Sequence, residues 1–322
     1  MEYYLAPMEG LTGYIYRRAH SRWFSGVEKY YLPFISPTQD HLFTKRELKE
    51  LVPEHNEGIN AVPQLLTKRA EDFVWAAGAL GEMGYPEVNL NLGCPSGTVA
   101  AKGKGSGFLR DTKGLEEFFD YVFSAGLKVN VSVKTRLGFA EEEEFEALLD
   151  IYNRYPIHQL TIHPRVKKDM YKGAPRMGAF TRAAERCRVP LCYNGDLVTA
   201  QQCHTLAERF PAVNCMMMGR GLIGDPALAE KARGGAGADK ERLGAFLEEI
   251  YRGYAQDFQS ERNAMLRMKE IWFYLIHLFE DSERYGKKLK KTTDAGEYEQ
   301  LVAGILRDLE LRPSLDEWAF RT

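Results

Sequence analysis

The sequence predicts an α/β fold, a TIM (β/α)8 barrel followed by a small all-helical C-terminal domain. Eight short apolar runs of strand character alternate with stretches of helical periodicity, the pattern of a parallel sheet with crossover helices. They fit within about 230 residues, the usual size of such a barrel. The chemically unusual residues fall just after these runs, where barrel enzymes carry their chemistry.

The first strand, over 3–6, runs into "APMEG" (6–10), and the second covers 27–31. The third, 61–65, carries Gln64 at its end and precedes a helix over 69–83. The fourth, 87–91, stops at "NLGCP" (91–95), and a helix over 112–125 follows. The fifth, 129–134, leads into "VKTR" (133–136), then a helix over 141–154. The sixth, 159–163, leads into "IHPR" (162–165). The seventh, 190–193, meets "NGD" (194–196) before a helix over 199–210, and the eighth, 214–218, meets "GRG" (219–221) before a helix over 226–232. The glycine-rich "ARGGAGAD" (232–239) reads as a linker, so a barrel domain is expected over 1–235 and a helical domain over 236–322.

With 322 residues, 44% of them hydrophobic, the chain can bury a sizeable core. A net charge of -2 gives no global attraction to nucleic acid or to anionic membranes, so such a partner must meet a local patch. The five cysteines (94, 187, 192, 203 and 215) contain no C-x-x-C pair, which argues against a disulfide framework or a zinc site and for a reducing cytoplasm. No stretch of about 18 apolar residues marks a membrane span, and no leader pattern opens the chain. A monomer with no metal is expected.

The loops after strands seven and eight suit a phosphate. Gly195, Gly219 and Gly221 let backbone amides approach an anion, and Arg220 supplies a forked cation. Thr199 with Gln202 fits a capping box, and Asp225 with Pro226 fits an N-cap followed by a first-turn proline. Lys134 lies on a barrel strand, where burial demands an anionic partner, either a buried carboxylate or a ligand such as reduced flavin. His163, at the next strand end, is placed to contact the same group.

In order, "APMEG", "QLL", "LNLGCP", "GSGFL", "VKTR", "IHPR", "NGD" and "MMMGRG" resemble the tRNA-dihydrouridine synthase family, flavoenzymes that reduce particular uridines in tRNA. The resemblance runs through the whole barrel. It implies bound FMN, NADPH as reductant, and a barrel joined to a helical tRNA-binding domain. By it, Pro7, Met8 and Glu9 line the flavin ring, with Gln64, Lys134 and His163 against its polar edge. Asn194, Gly195, Asp196, Gly219 and Arg220 hold the phosphate. Cys94 gives the proton, and Asn91 and Tyr171 contact the uridine. In "LRMKEIWFY" (266–274), Arg267, Lys269 and Tyr274 are the RNA contacts. Two positions depart from the family pattern: Gly13 stands where an aspartate is usual, and Pro164 where a small residue is common. Residues 32–38, "LPFISPT", have no clear counterpart.

Chemistry gives Cys94 the same role. Saturating the uracil double bond requires a hydride on one carbon and a proton on its neighbour. A thiol is mostly protonated at neutral pH and can act as the acid, and the glycine and proline around Cys94 shape a loop able to close over a base. "GKKLKK" (286–291) adds Lys287, Lys288, Lys290 and Lys291, either an RNA patch or a solvated helix face. Two alternatives stay open: an FMN barrel acting on a free pyrimidine-like metabolite, as dihydroorotate dehydrogenase does, and an RNA-binding protein without catalysis.

Overall fold

The structure is a computed structural model and describes residues 1–317 and 320. Its sheet has nine parallel strands: β1 (Glu2–Leu5), β2 (Lys29–Tyr31), β3 (Ala61–Val62), β4 (Gln64–Leu65), β5 (Glu87–Leu92), β6 (Asn130–Gly138), β7 (Leu160–Val166), β8 (Leu191–Asn194) and β9 (Cys215–Met218). Their order is β3-β2-β1-β9-β8-β7-β6-β5-β4. The two ends of that order are adjacent in the chain, separated only by Pro63, so the sheet closes on itself and the third expected strand is one strand divided by a proline. Proline brings no N–H to a ladder. Its carbonyl still accepts from the Asn89 amide at 2.9 Å. Ile35 bridges Leu65 in parallel, so the segment 32–38 extends β2 to close the barrel.

The expected helices form within a few residues of their predicted limits, at Ala70–Glu82, Thr112–Ser124, Glu144–Tyr152 and Ala200–Arg209. The last starts with the capping box: the Gln202 amide donates to Thr199 Oγ1 and the Thr199 amide to Gln202 Oε1, both at 3.1 Å. The other expected cap does not form. The helix Leu228–Ala232 has Ala227 in the capping position, while Asp225, buried, accepts from Lys231 Nζ at 2.7 Å and from the Ala227 amide at 3.2 Å. One oxygen thus makes a cap-like bond to a main-chain amide while the other takes a cation, but the helix itself starts only at Leu228.

Both departures from the family pattern have local reasons. Gly13 precedes the helix Tyr14–Trp23, and a β-carbon there would meet Glu50 Oε1 at 3.0 Å. Glu50 pairs with the buried Arg17 at 2.8 Å, so an aspartate at 13 would face a carboxylate. Pro164 falls where the β6–β7 register shifts, between Arg136↔His163 and Gly138↔Val166, an irregularity that tolerates a missing N–H.

Tyr4, Tyr31, Val62, Cys192, Cys215 and Met217 pack together inside the barrel. A larger core lies between strands and helices, and it continues into the C-terminal helices Lys240–Phe258, Glu261–Leu275, Glu283–Lys291 and Ala295–Asp308. Phe246 meets Phe24 edge-on with ring centroids 5.0 Å apart, tying the two regions together. The chain then returns to the barrel, where Leu315 and Phe320 pack against Gly224. Residues 318, 319, 321 and 322 of the expected helical domain lie outside the described residues.

Candidate active site

A cavity of about 550 Å³ opens at the C-terminal ends of the strands. The loop after β1 gives it Pro7, Met8 and Glu9, and β4 gives it Gln64. Asn91 and Cys94 enter from β5 and its loop, Lys134 from β6, and His163 and Tyr171 from β7 and the turn beyond it. Asn194 ends β8 and Gly195 and Asp196 follow it, Gly219 and Arg220 follow β9, and Tyr274 reaches in from the helix Glu261–Leu275. Glycine is required at 221, where a β-carbon would overlap the Leu197 carbonyl, and space is tight at Gly219, where one would lie 3.1 Å from Met8 Sδ.

Arg267 and Lys269 stand apart from this cavity. Arg267 Nη1 donates to the Gly10 carbonyl at 2.6 Å and to Glu270 at 2.5 Å, beside a second cavity of about 590 Å³. Lys269 Nζ donates to the Thr292 carbonyl at 2.7 Å. Lys287, Lys288, Lys290 and Lys291 are exposed on their helix around a buried Leu289.

A chain of hydrogen bonds runs down the barrel from Cys94. The Cys94 and Gly93 amides donate to Asn91 Oδ1 at 2.9 and 3.0 Å. Asn91 Nδ2 donates to Gln64 Oε1 at 2.7 Å, Gln64 Nε2 to Asn89 Oδ1 at 2.8 Å, and Asn89 Nδ2 to Ser132 Oγ at 2.9 Å. Ser132 donates to Glu87 at 2.6 Å, and Glu87 pairs with Lys29 at 2.6 Å. On its other side the Cys94 carbonyl accepts from the Ser106 amide and hydroxyl at 3.1 and 2.7 Å. The expected mobile loop is therefore pinned at both main-chain groups of the residue it presents.

Lys134 forms no ion pair among the described residues. Desolvation first, and then the neighbouring Arg136, push its ammonium down to about 8, while Cys192 and Cys94 pull the other way. His163 is held well below the ordinary imidazole value by desolvation and by four cations, Arg136, Lys134, Arg165 and Arg220. Its ring is neutral at pH 7. Arg165 Nη1 lies 2.8 Å from His163 Nε2 and can only donate, so Nε2 accepts and the proton sits on Nδ1.

Asp196 takes both neighbouring arginines, Arg165 at 2.6 Å and Arg220 at 2.6 Å. Its carboxylate thus aims cations, and an anion would meet Arg220 and backbone amides in this loop. Asp196 has φ +40° and Met170 φ +52°, left-handed conformations that cost a non-glycine residue about 1–3 kcal/mol. The turn at Met170 sets the Tyr171 ring 5.2 Å from the Arg136 guanidinium and 5.5 Å from that of Arg220.

Sequence reasoning assigned no role to Arg136, Arg165, Phe34, Phe273, His277 or Phe320. A signal existed for the arginines: each lies two residues after Lys134 or His163, the spacing that returns a side chain to the same face of a strand. Arg136 Nε donates to the Gly93 carbonyl at 3.0 Å, beside Cys94. Nothing local marked Phe320, whose carbonyl accepts from Arg220 at 2.8 Å.

The dihydrouridine synthase (Dus) family model matches residues 4–309. The chain belongs to the dihydrouridine synthase family. Membership makes it an oxidoreductase. A probable tRNA-dihydrouridine synthase of Staphylococcus aureus is 30% identical over 247 residues, covering 70% of each chain. The tRNA-dihydrouridine synthase B of Pasteurella multocida is 26% identical over 226 residues, covering 70% of this chain and 67% of that one. Among solved structures, morphinone reductase matches the fold of this Dus-family chain with a TM-score of 0.52 at 13% identity, over 74% of this chain and 87% of its own. A 2-naphthoyl-CoA reductase complex matches with a TM-score of 0.56 at 11% identity, over 72% and 50%. Among the described residues no helix of this family member is long and apolar enough to cross a membrane, and no group of three or more His, Cys, Asp or Glu side chains is arranged to hold a metal ion.

Proposed function

We propose that the chain reduces specific uridines in tRNA to 5,6-dihydrouridine, with FMN as its cofactor, NADPH as reductant and Cys94 as proton donor. Residues 1–235 form the catalytic domain in this reading and 236–322 the tRNA-binding domain.

The observation that carries it is Lys134, an ammonium facing the cavity without a carboxylate partner among the described residues, in a lining it shares with Cys94. The cavity suits FMN at both ends of that molecule. Lys134 and the neutral His163 offer a cation and an N–H to the polar edge of the ring, with Gln64 between its two amide partners beside them. Gly195, Gly219 and Arg220 offer close backbone and a guanidinium to the phosphate. Bound FMN would supply the hydride.

The protein's own residues supply the rest. Asn91 Oδ1 holds the Cys94 main chain, which keeps this residue in the cavity lining, where its thiol would serve as the acid. Pro7 and Met8 form an apolar wall, and Tyr171, with the Arg136 and Arg220 guanidinium groups near its ring, would contact the uracil. Tyr274 contacts the RNA from the helical side. Arg267 and Lys269 have intramolecular partners but keep further N–H donors for phosphates, and the four lysines at 287, 288, 290 and 291 extend the basic surface.

The test is to purify the full chain, identify any flavin released by denaturation, and map dihydrouridine in tRNA incubated with NADPH. A yellow protein bleached by NADPH that forms dihydrouridine supports the reading. A protein that neither carries nor takes up FMN, or that turns NADPH over without changing tRNA, sinks it.

A further inference from the structure

Phe273 is 65% exposed, more than any other phenylalanine, tyrosine or tryptophan described. Its helix does not need it for packing. The buried face of Glu261–Leu275 is made by Ala264, Met265, Met268, Ile271, Trp272 and Leu275. Leu266, seven residues earlier and two turns away on the same face, is also exposed, at 40%. Lys269 and Glu270 lie between the two on that face, so Phe273 stands as an isolated apolar side chain on a polar helix surface, and it lines the cavity.

The ring is also held in place. Tyr274 meets it edge-on, with centroids 5.0 Å apart at 85°, and Tyr274 is itself packed against Phe320 at 5.3 Å. A flat apolar ring with a supported edge and open surface, at the entrance to a site that must receive a base, fits a second base. A uridine leaving its stack deprives its neighbour of a stacking partner. An aromatic side chain restores that partner for any base, because every base has a π-face.

We propose that Phe273 is the platform on which the RNA base next to the extruded uridine stacks. The inference rests on tRNA being the substrate. It adds a binding position for a neighbouring nucleotide, outside the cofactor and uridine positions. The ring acts on RNA binding and leaves the chemistry at the cavity floor untouched.

The experiment uses the full-length holoprotein and unmodified tRNA transcripts. Phe273→Ala should raise the KM for tRNA roughly ten- to hundredfold, the scale of one lost base stack, at unchanged kcat, flavin content, thermal midpoint and NADPH oxidation without RNA. Phe273→Trp should keep the wild-type KM, whereas Phe273→Leu, apolar but not aromatic, should resemble alanine. A leucine variant as good as wild type overturns stacking in favour of plain apolar contact. An alanine variant with wild-type KM overturns the inference altogether. Wild-type protein that leaves tRNA unreduced overturns the functional reading, and the stacking role with it.

Discussion

Asn91 Nδ2 donates to Gln64 Oε1 at 2.7 Å, and the direction of that bond is dictated from both ends of the chain it belongs to. At the top, the Gly93 and Cys94 amides can only donate, so Asn91 Oδ1 must accept. At the bottom, the Glu87 carboxylate can only accept, so Ser132 donates to it and must accept from Asn89. Every amide between has one orientation. Ser132→Ala should release that constraint, leaving the buried Asn89 amide unpaired at a cost of about 1–3 kcal/mol. Uridine reduction should fall about ten- to hundredfold through misplacement of the Cys94 loop and Gln64, while Ser132→Thr keeps the hydroxyl and most of the activity. Steady-state kinetics beside thermal melts measure both effects, and an alanine variant with full activity removes the chain from the mechanism.

Cys94→Ala deletes the acid without touching the groups assigned to the cofactor. The variant should retain its flavin and its bleaching by NADPH, and lose uridine reduction about 100-fold or more, the scale of a positioned general acid. Separate stopped-flow measurements of the two half-reactions decide it. A near-normal rate with tRNA would assign the proton elsewhere.

Lys134 gives a pH signature. Its folded value, about 8, lies below the ordinary 10.5, so the folded apoprotein holds fewer protons than the unfolded chain between those values. The penalty on folding from its charge is therefore full below about 8 and fades as pH rises toward 10.5. Binding an anion favours the charged ammonium, so binding takes up a proton above pH 8. FMN affinity of the apoprotein should fall by up to about tenfold per pH unit above that point, and Lys134→Met should bind more weakly at pH 7 and lose this dependence. Titrations of FMN fluorescence at several pH values supply the curve, and a slope shared by both proteins rules Lys134 out as its source.

The exposed lysines of Glu283–Lys291 give a salt signature. If they neutralise phosphates, each one changed to alanine should lower the slope of log affinity against log salt by roughly 0.7–0.9. Arg267 and Lys269 already donate to backbone carbonyls, so changing them should alter helix docking as well as affinity. Binding isotherms across a salt series, with melts of the same variants, separate the two groups. Coincident slopes for wild type and the lysine variants would make that helix a solvated face.

Much of this was legible in one dimension. The strand ends carried the site because β-strands are short and apolar, and a lysine or a Gly-Cys-Pro at the end of one is conspicuous. The break at Pro63 was not, since 61–65 reads as one apolar run and only closure of the ring reveals what the proline interrupts. Asp225 was half legible: its Oδ1 makes the local bond to the Ala227 amide, but the helix begins later, at Leu228, and Lys231, six residues on, takes the other oxygen. The partners of Arg267, Lys269 and Arg220 lie up to 257 residues away in the chain, beyond any local pattern.

The cavity is walled at one side by residues 6–9 and at another by Tyr274 and Phe320, nearly the first and last parts of the chain to be made. At roughly 5–20 residues per second of synthesis, the early loop waits about 15–60 s for the ring that completes its pocket. Until Tyr274 and Phe320 dock, the cavity stands open on their side.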